Sequence, residues 1–442
     1  MSKAKVVKFG GSSLADANQF KKAAEIIRAD NERRYIIPSA PGKRFKEDVK
    51  VTDMLYACYD AFTENHVDEG HGLLMQIEER FNAIIDGLNL DLDIGDEFAQ
   101  ITNDFEQQLG RDYAASRGEY LSGLILSELL DCPFVDAADV IRFKVSGNFD
   151  ADETDRLLSM ILEGLDNAVV PGFYGAKPGG EIKTFSRGGS DITGSLVAKA
   201  MNAAVYENWT DVSGFLVADP RIVDNPKPIQ SITYREMREL SYMGATVLHE
   251  DAIFPVREAK IPINIRNTNS PADPGTTIIF EANDAPEWTI TGIAGKKNFD
   301  VVHIVKDGSN NEPGFLFDVL MIFQTARVNV EHIATGIDTF SLVVEHDVFT
   351  EHPWIEGQIR NNICDTAEMD IQCCLALIAV VGRGMIGQRG TAARIFNALC
   401  RADVNIRIID QGASELNIIV GVDESDFDKA IKAIYEEFMV AE

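Results

Sequence analysis

Two stretches of the C-terminal third repeat each other at a fixed offset of 76 residues. Gly314, Val328, Asn329, Ile333 and Gly336 recur as the identical residues Gly390, Val404, Asn405, Ile409 and Gly412. Apolar Phe340 and Leu342 are matched by Leu416 and Ile418. In each copy a glycine starts a helical pattern, Val-Asn opens a strand, and a second strand follows the next glycine. Chance explains any one pair. Shared spacing with a shared order of elements predicts two small duplicated modules of strands and helices.

The N-terminal half alternates apolar runs with amphipathic stretches, the signature of an α/β fold. Lys5–Phe9 reads as a strand, followed by Gly10-Gly11-Ser12-Ser13 and a helix with Phe20, Ala23, Ala24 and Ile27 on one face. Ser13 and Asp16 suit its start. Residues 35–38 and 167–171 read as further strands entering loops. Residues 60–112 read as a peripheral helical insert. A break is expected near Ser270-Pro271-Ala272-Asp273-Pro274-Gly275, where turn formers cluster.

Composition narrows the class. The 442 residues carry 41 Lys and Arg against 70 Asp and Glu, a formal charge of −29, which opposes a broad nucleic-acid surface. No apolar run reaches the roughly 20 residues that span a bilayer. The start MSKAKVVKFGG lacks the apolar core of a signal peptide. A cytoplasmic protein, bound to neither membrane nor nucleic acid, is expected. Six cysteines without metal-type spacing fit a reducing compartment. Cys373 and Cys374 lie in an apolar run and are expected in the core; the seven histidines form no ligand pattern, and no metal site is predicted.

Several segments could carry chemistry, and each has a plainer explanation. Lys8-Phe9-Gly10-Gly11 stands between a strand and a helix, where glycines admit a phosphate and a lysine could meet its charge. A Gly-Gly turn beside a surface lysine is the plainer account. Ser186-Arg187-Gly188-Gly189-Ser190-Asp191 leads into a helix, and Arg187 offers a fork for a carboxylate. Asp191 alone could simply cap that helix. Thr210-Asp211, with Arg221 downstream, ends a strand, a usual place for ligands in a parallel sheet but also ordinary turn chemistry. Ser116-Arg117-Gly118-Glu119 is read as opening a helix, with Glu119 a partner for an ammonium or for the helix end. Ser39-Ala40-Pro41-Gly42 could add a hydroxyl contact.

Taken in order, these segments with Pro171-Gly172-Phe173 resemble the amino-acid kinase family. Gly244-Ala245-Thr246-Val247-Leu248-His249 narrows the resemblance to its aspartate kinase branch, and Ile408-Ile409-Asp410-Gln411-Gly412 resembles an ACT regulatory segment. The resemblance spans nearly the whole chain. It implies a three-layer α/β kinase domain with a mainly parallel sheet over residues 1–283, then two α+β (βαββαβ) ACT domains over 284–368 and 369–442. It further implies transfer of the ATP γ-phosphoryl to the β-carboxylate of L-aspartate, the first step toward lysine, threonine and methionine.

In that scheme Lys8 and Asp191 are catalytic, and Gly10 and Gly11 line the phosphate site. Arg187 grips the substrate α-carboxylate and Glu119 its ammonium, with Ser39, Thr52, Phe173, Gly189 and Ser190 completing the pocket. Thr210, Asp211 and Arg221 contact the nucleotide, whose Mg²⁺ rests mainly on phosphates and water. Glu312, Gly314, Phe315, Leu316, Asn329, Val330 and Glu331 are implied for an amino-acid effector, lysine first and threonine next. A homodimer or tetramer through the ACT domains is implied, and no fused homoserine dehydrogenase is expected. Relatives usually carry Lys at Thr246 and Tyr at Leu216, both on the nucleotide side. A silent amino-acid sensor and a kinase for glutamate, acetylglutamate or a nucleotide are the alternatives.

Overall fold

The structure, a computed structural model, describes residues 4–186, 188–245, 248, 250–281, 286–308, 314–363 and 367–440. Arg187, Thr246 and Glu312, all named above, lie outside the described residues. Two compact units form. The first comprises Met1–Phe215, Pro228–Tyr234 and Val247–Ala282; the second comprises Leu216–Lys227, Arg235–Thr246 and Asn283–Glu442.

In chain order the elements begin with β1 (Lys5–Phe9), α1 (Ala17–Arg28), β2 (Arg33–Pro38), α2 (Val51–Thr63), α3 (Val67–Leu88), α4 (Gly95–Glu106) and α5 (Arg111–Leu130). Then come α6 (Ala137–Val140), α7 (Ala151–Leu162), β3 (Ala168–Val169), β4 (Tyr174–Ala176), β5 (Ile182–Thr184), α8 (Gly189–Ala200) and β6 (Val205–Thr210). They continue with β7 (Ser231–Thr233), α9 (Tyr234–Tyr242), α10 (Phe254–Glu258), β8 (Ile263–Asn267) and β9 (Thr276–Ile279). The remainder is β10 (Gly292–Lys306), α11 (Phe315–Ala326), β11 (His332–Thr335), β12 (Thr339–Glu345), α12 (Val348–Glu351), α13 (Trp354–Ile363), β13 (Ala367–Val381), α14 (Thr391–Arg401), β14 (Ile406–Asp410), β15 (Asn417–Asp423) and α15 (Phe427–Met439).

The first unit is built on a seven-stranded sheet in the order β3-β2-β1-β6-β8-β9-β7. All its pairings are parallel except β8 with β9. Val6, Val7, Ile36 and Tyr206 are fully buried, as expected of central parallel strands covered on both faces. The first strand lies where the sequence pattern puts it. Its helix starts later, because Gly11–Leu14 form a 3₁₀ turn first and Asp16, accepting from the Gln19 amide at 3.0 Å, is the cap.

Residues 60–112 are helical but not peripheral. Phe81 and Phe105, both fully buried, belong to the same apolar cluster as Val7, Phe9 and Trp209. Nor is Ser270–Gly275 a domain break. It turns the chain between β8 and β9 of one sheet, and the unit runs on to Ala282.

The second unit carries a six-stranded antiparallel sheet, ordered β11-β12-β10-β13-β15-β14. Its two long central strands serve both repeats. The C-terminal part of β10, Phe299–Val305, pairs with β12 and its Val301–Lys306 with the N-terminal part of β13; Gly292–Lys296 pairs with Leu377–Val381. Each repeat therefore completes its four strands with a piece of the other's long strand. The repeated glycines share one reason for existing. Gly314 at φ +94° and Gly390 at φ +91° each precede a helix in a backbone conformation that L side chains rarely adopt.

Cys373 and Cys374 are exposed, against the expectation that they pack in the core. The pairing of β10 with β13 shifts register there, and Cys374 has φ +66°, so the strand bulges and turns both side chains out.

Glu236 anchors this unit. Fully buried, it accepts from the Thr291 hydroxyl at 2.6 Å, the Arg383 amide at 2.8 Å and the Arg383 guanidinium at 3.0 Å. Glu236→Ala leaves a mostly buried cation uncompensated, a change that typically costs about 3–5 kcal/mol. Hydrogen exchange in β13 should accelerate accordingly; unchanged exchange there would remove Glu236 from this role.

Candidate active site

Lys8 is the last-but-one residue of β1, and Asp191 is the third residue of α8. Their side chains meet at 2.6 Å, Nζ to Oδ1, and each is at most 15% exposed. Asn208, on the neighbouring β6, donates to the same Asp191 oxygen at 2.8 Å. Asp191 thus does not cap its helix. Gly188 occupies the cap position, and the carboxylate is spent on a cation and an amide instead.

Past Lys8 the backbone packs tightly against the segment after β2. Gly10 donates to the Trp209 carbonyl at 2.9 Å, and Gly11 accepts from the Gly42 amide at 2.7 Å. A Cβ on Gly42 would lie 2.5 Å from the Gly11 carbonyl carbon, so this approach excludes any other residue. Ser39 is held by its amide on the Phe9 carbonyl at 3.0 Å, and Thr52 is the second residue of α2. The α2 start is tied in by the Val51 amide on the Pro41 carbonyl at 3.1 Å.

Glu119 is buried in the middle of α5, not at a helix start. Burial pushes its carboxyl up to about 8, against an ordinary 4.5, and the Ala40 amide, Lys8 and Arg117 offset part of that rise. Its Oε2 is buried without a partner among the described residues. An unmatched acceptor in this position favours an incoming cation or ammonium. Beside it, the Arg117 guanidinium lies 4.5 Å from the Tyr113 ring centre, 4.6 Å from Tyr120 and 5.5 Å from Tyr174.

Phe173 adopts φ +81°, a strained conformation for a bulky side chain. Its amide donates to the Thr193 hydroxyl at 3.1 Å, and its carbonyl accepts from Phe185 at 3.0 Å. Thr193 also bonds the Gly189 carbonyl at 3.1 Å, which fixes Phe173 against the first turn of α8. The amides of that turn, at Gly189 and Ser190, have no acceptor within their own helix, an arrangement that suits an anion.

Lys8, Gly10, Gly11, Ser39, Glu119, Phe173, Gly189, Ser190 and Asp191 are thereby linked through a continuous set of contacts. Thr210 ends β6, with its hydroxyl on Asp211 at 3.2 Å. Arg221 belongs to the second unit, where it is 87% exposed and pairs with Asp219 at 2.5 Å. Leu216 lies in the same unit, where the Val217 carbonyl accepts from Ile293 at 2.7 Å.

Three participants escape a reading of the sequence. Asn208 carries the clearest overlooked signal, an amide side chain in a strand otherwise fit for burial and only 4% exposed. The Ala40 amide and Thr193 give no such signal.

In the second unit, Gly314, Phe315, Leu316, Thr335, Ile337 and Phe340 line part of a cavity of about 430 Å³. Asn329–Glu331 lie beyond the far end of α11, and the Glu331 carboxylate accepts from the Tyr242 hydroxyl at 2.6 Å.

Known proteins resemble this chain over nearly its whole length. The model of the Amino acid kinase family matches residues 3–267, and an ACT domain model matches 378–438. Aspartokinase 3 of Bacillus subtilis (strain 168) is 36% identical over 457 residues, covering 98% of each chain. The crystal structure of Clostridium acetobutylicum aspartate kinase superposes with a TM-score of 0.90 at 49% identity, covering 99% of this chain and 100% of that one. E. coli aspartokinase III is 25% identical in two solved complexes. With aspartate and ADP the TM-score is 0.73, covering 98% of this chain and 99% of that one. With lysine and aspartate it is 0.77, covering 99% and 100%. The chain belongs to the amino acid kinase family, and within it to the aspartokinases.

The Glu119 carboxyl provides a test of the site. The folded chain keeps a proton that the unfolded chain releases above 4.5, so ligand-free stability falls as pH rises from about 4.5 to about 8. In Glu119→Gln that part of the slope vanishes. Thermal midpoints measured across this range should show it, and identical slopes in both proteins would contradict the buried carboxyl.

Proposed function

We propose that the chain transfers the γ-phosphoryl of ATP to the β-carboxylate of L-aspartate, forming 4-phospho-L-aspartate. The observation that carries this reading is the corner where Lys8 meets Asp191, with Glu119 close by and its Oε2 without a partner among the described residues. Both substrates are anions, so the obstacle is repulsion, and catalysis rests on placed positive charge more than on a base. Lys8 stabilises the charge on the transferring phosphoryl, and Asp191, steadied by Asn208, holds the lysine in place. Gly10 and Gly11 line the phosphates, while Thr210, Asp211 and Arg221 serve the nucleotide.

Glu119 takes the α-ammonium of aspartate and Arg187 its α-carboxylate. Ser39, Thr52, Phe173, Gly189 and Ser190 close the pocket. Mg²⁺ accompanies ATP and lowers the charge of its phosphates. Both bonds to Asp191 fall on Oδ1, which suits a hydrated cation near its other oxygen.

We assign catalysis to residues 1–283 and regulation to two ACT modules that meet near residue 368, the second borrowing the N-terminal part of β10. Lysine is the effector, supported by the E. coli aspartokinase III complex with lysine and aspartate. Helix α11 separates Gly314–Leu316 from Asn329–Glu331 by about 18 Å at 1.5 Å per residue. Both groups can contact one amino acid only when modules of two subunits pair, so we propose an ACT-mediated homodimer. Among the described residues no helix is long and apolar enough to cross a membrane, and we place the protein in the cytoplasm, at the head of lysine and threonine synthesis.

The test is ATP-dependent formation of aspartyl phosphate, trapped by hydroxylamine, with and without lysine or threonine. Turnover on aspartate and inhibition by lysine are expected. Lysine binding without turnover would make the chain a sensor, and turnover on glutamate alone would change the acceptor. Lys8→Ala should lower kcat about 10²–10³-fold. Arg187→Ala should raise the aspartate KM strongly and leave that of ATP nearly unchanged; an unmoved aspartate KM would take Arg187 out of the pocket.

A further inference from the structure

Asp300, His346 and Cys373 stand far apart in the chain and share no sequence motif. The fold brings one ligand atom of each to within 4.8 Å of the others. We propose that they form a binding site for one zinc-type divalent cation, placed where the two ACT modules exchange strands.

The site is built by the irregularity described above. Asp300 lies in β10 within the second of two register shifts of its pairing with β13, and Cys373 sits at the facing bulge. His346 follows β12 directly, and its amide donates to the Asn298 carbonyl at 2.9 Å. Asn298 at φ +68° and Cys374 at φ +66° bracket the place in left-handed backbone, which orients the two strands for it.

The chemistry of the three groups fits a borderline-soft cation. A thiolate, an imidazole and a carboxylate are the donors zinc takes, and three protein ligands with water in the fourth position form an open tetrahedral site. Asp300 is 3% exposed, and His346 Nδ1 lies 2.9 and 3.1 Å from its two oxygens. A carboxylate so deeply buried needs a strong counter-charge, which an imidazole supplies only when protonated. The side chains of His346 and Cys373 face solvent, so a cation has a path of entry.

The surroundings are acidic. The hydrogen bond to Asp300 raises His346, and the charges of Asp300, Asp347 and Glu424 add to the rise. Partial desolvation raises the Cys373 thiol, with Asp300, Cys374 and Asp370 adding to it. Binding exchanges charges without redox change. The cation takes the place of the thiol proton, which leaves to solvent, and Nδ1 gives up its hydrogen either to solvent, from the imidazolium, or to Nε2, from the neutral ring. It would join β10, β12 and β13 at the one place where the strands pass from one module to the other.

Cobalt(II) titration of the full-length protein tests this. One ion per chain should bind with a thiolate-to-cobalt charge-transfer band and the intense visible bands of a tetrahedral site, and zinc should displace it. Cys373→Ser should abolish the charge-transfer band. His346→Ala should weaken binding at least about 100-fold, while Cys374→Ser, its neighbour, should bind as before. All three altered side chains are exposed, and circular dichroism checks that the variants fold. An unchanged spectrum in Cys373→Ser, loss of the band only in Cys374→Ser, or affinity weaker than about 10⁻⁵ M would overturn the site. In each of those cases the three residues form only a hydrogen-bonded cluster.

Discussion

The contact between Lys8 and Asp191 determines what the first unit can do. It forms at the carboxyl edge of the parallel sheet, where β1 and β6 run side by side and α8 presents its first turn. Asp191 fixes the direction of the lysine ammonium, and Asn208, bonded to the same carboxylate oxygen, fixes the direction of Asp191. In the proposed reaction, a fixed positive charge beside the first-turn amides of α8 lets two mutually repelling anions meet.

Much of this was legible in the residues. The strand Lys5–Phe9, the α/β alternation and the 76-residue repeat follow from periodicity, and the repeat even identifies the two glycines with positive φ. The failures have physical causes. Glu119 reads as a residue of a helix start because local capping rules see only neighbours in the chain, whereas it lies mid-helix and its backbone partner comes from the segment after β2. Residues 60–112 looked peripheral because amphipathic helices give no sign of how much of their apolar face meets the central sheet.

Cys373 and Cys374 show the same limit in another form. Their apolar setting argues for burial, but burial of a strand residue depends on register, and one bulge reverses it. The segment Leu216–Lys227 is likewise contiguous with the kinase sequence yet packs in the second unit. There the Lys227 amide donates to the Tyr435 hydroxyl at 3.0 Å, and its ammonium lies 3.9 Å from the Trp288 ring centre. Chain order does not assign it.

In the proposed function, the buried acid Glu119 takes the ammonium of aspartate. Calorimetric titration of L-aspartate at pH 7, repeated in buffers of different ionisation enthalpy, tests this directly. Glu119 holds its proton in the empty site and must give it up when the ammonium arrives, so the heat should vary with buffer and report net proton release, and Glu119→Gln should show none. Equal heats in every buffer for the unaltered protein would mean that the ammonium goes elsewhere, and the assignment of this corner to aspartate would fall.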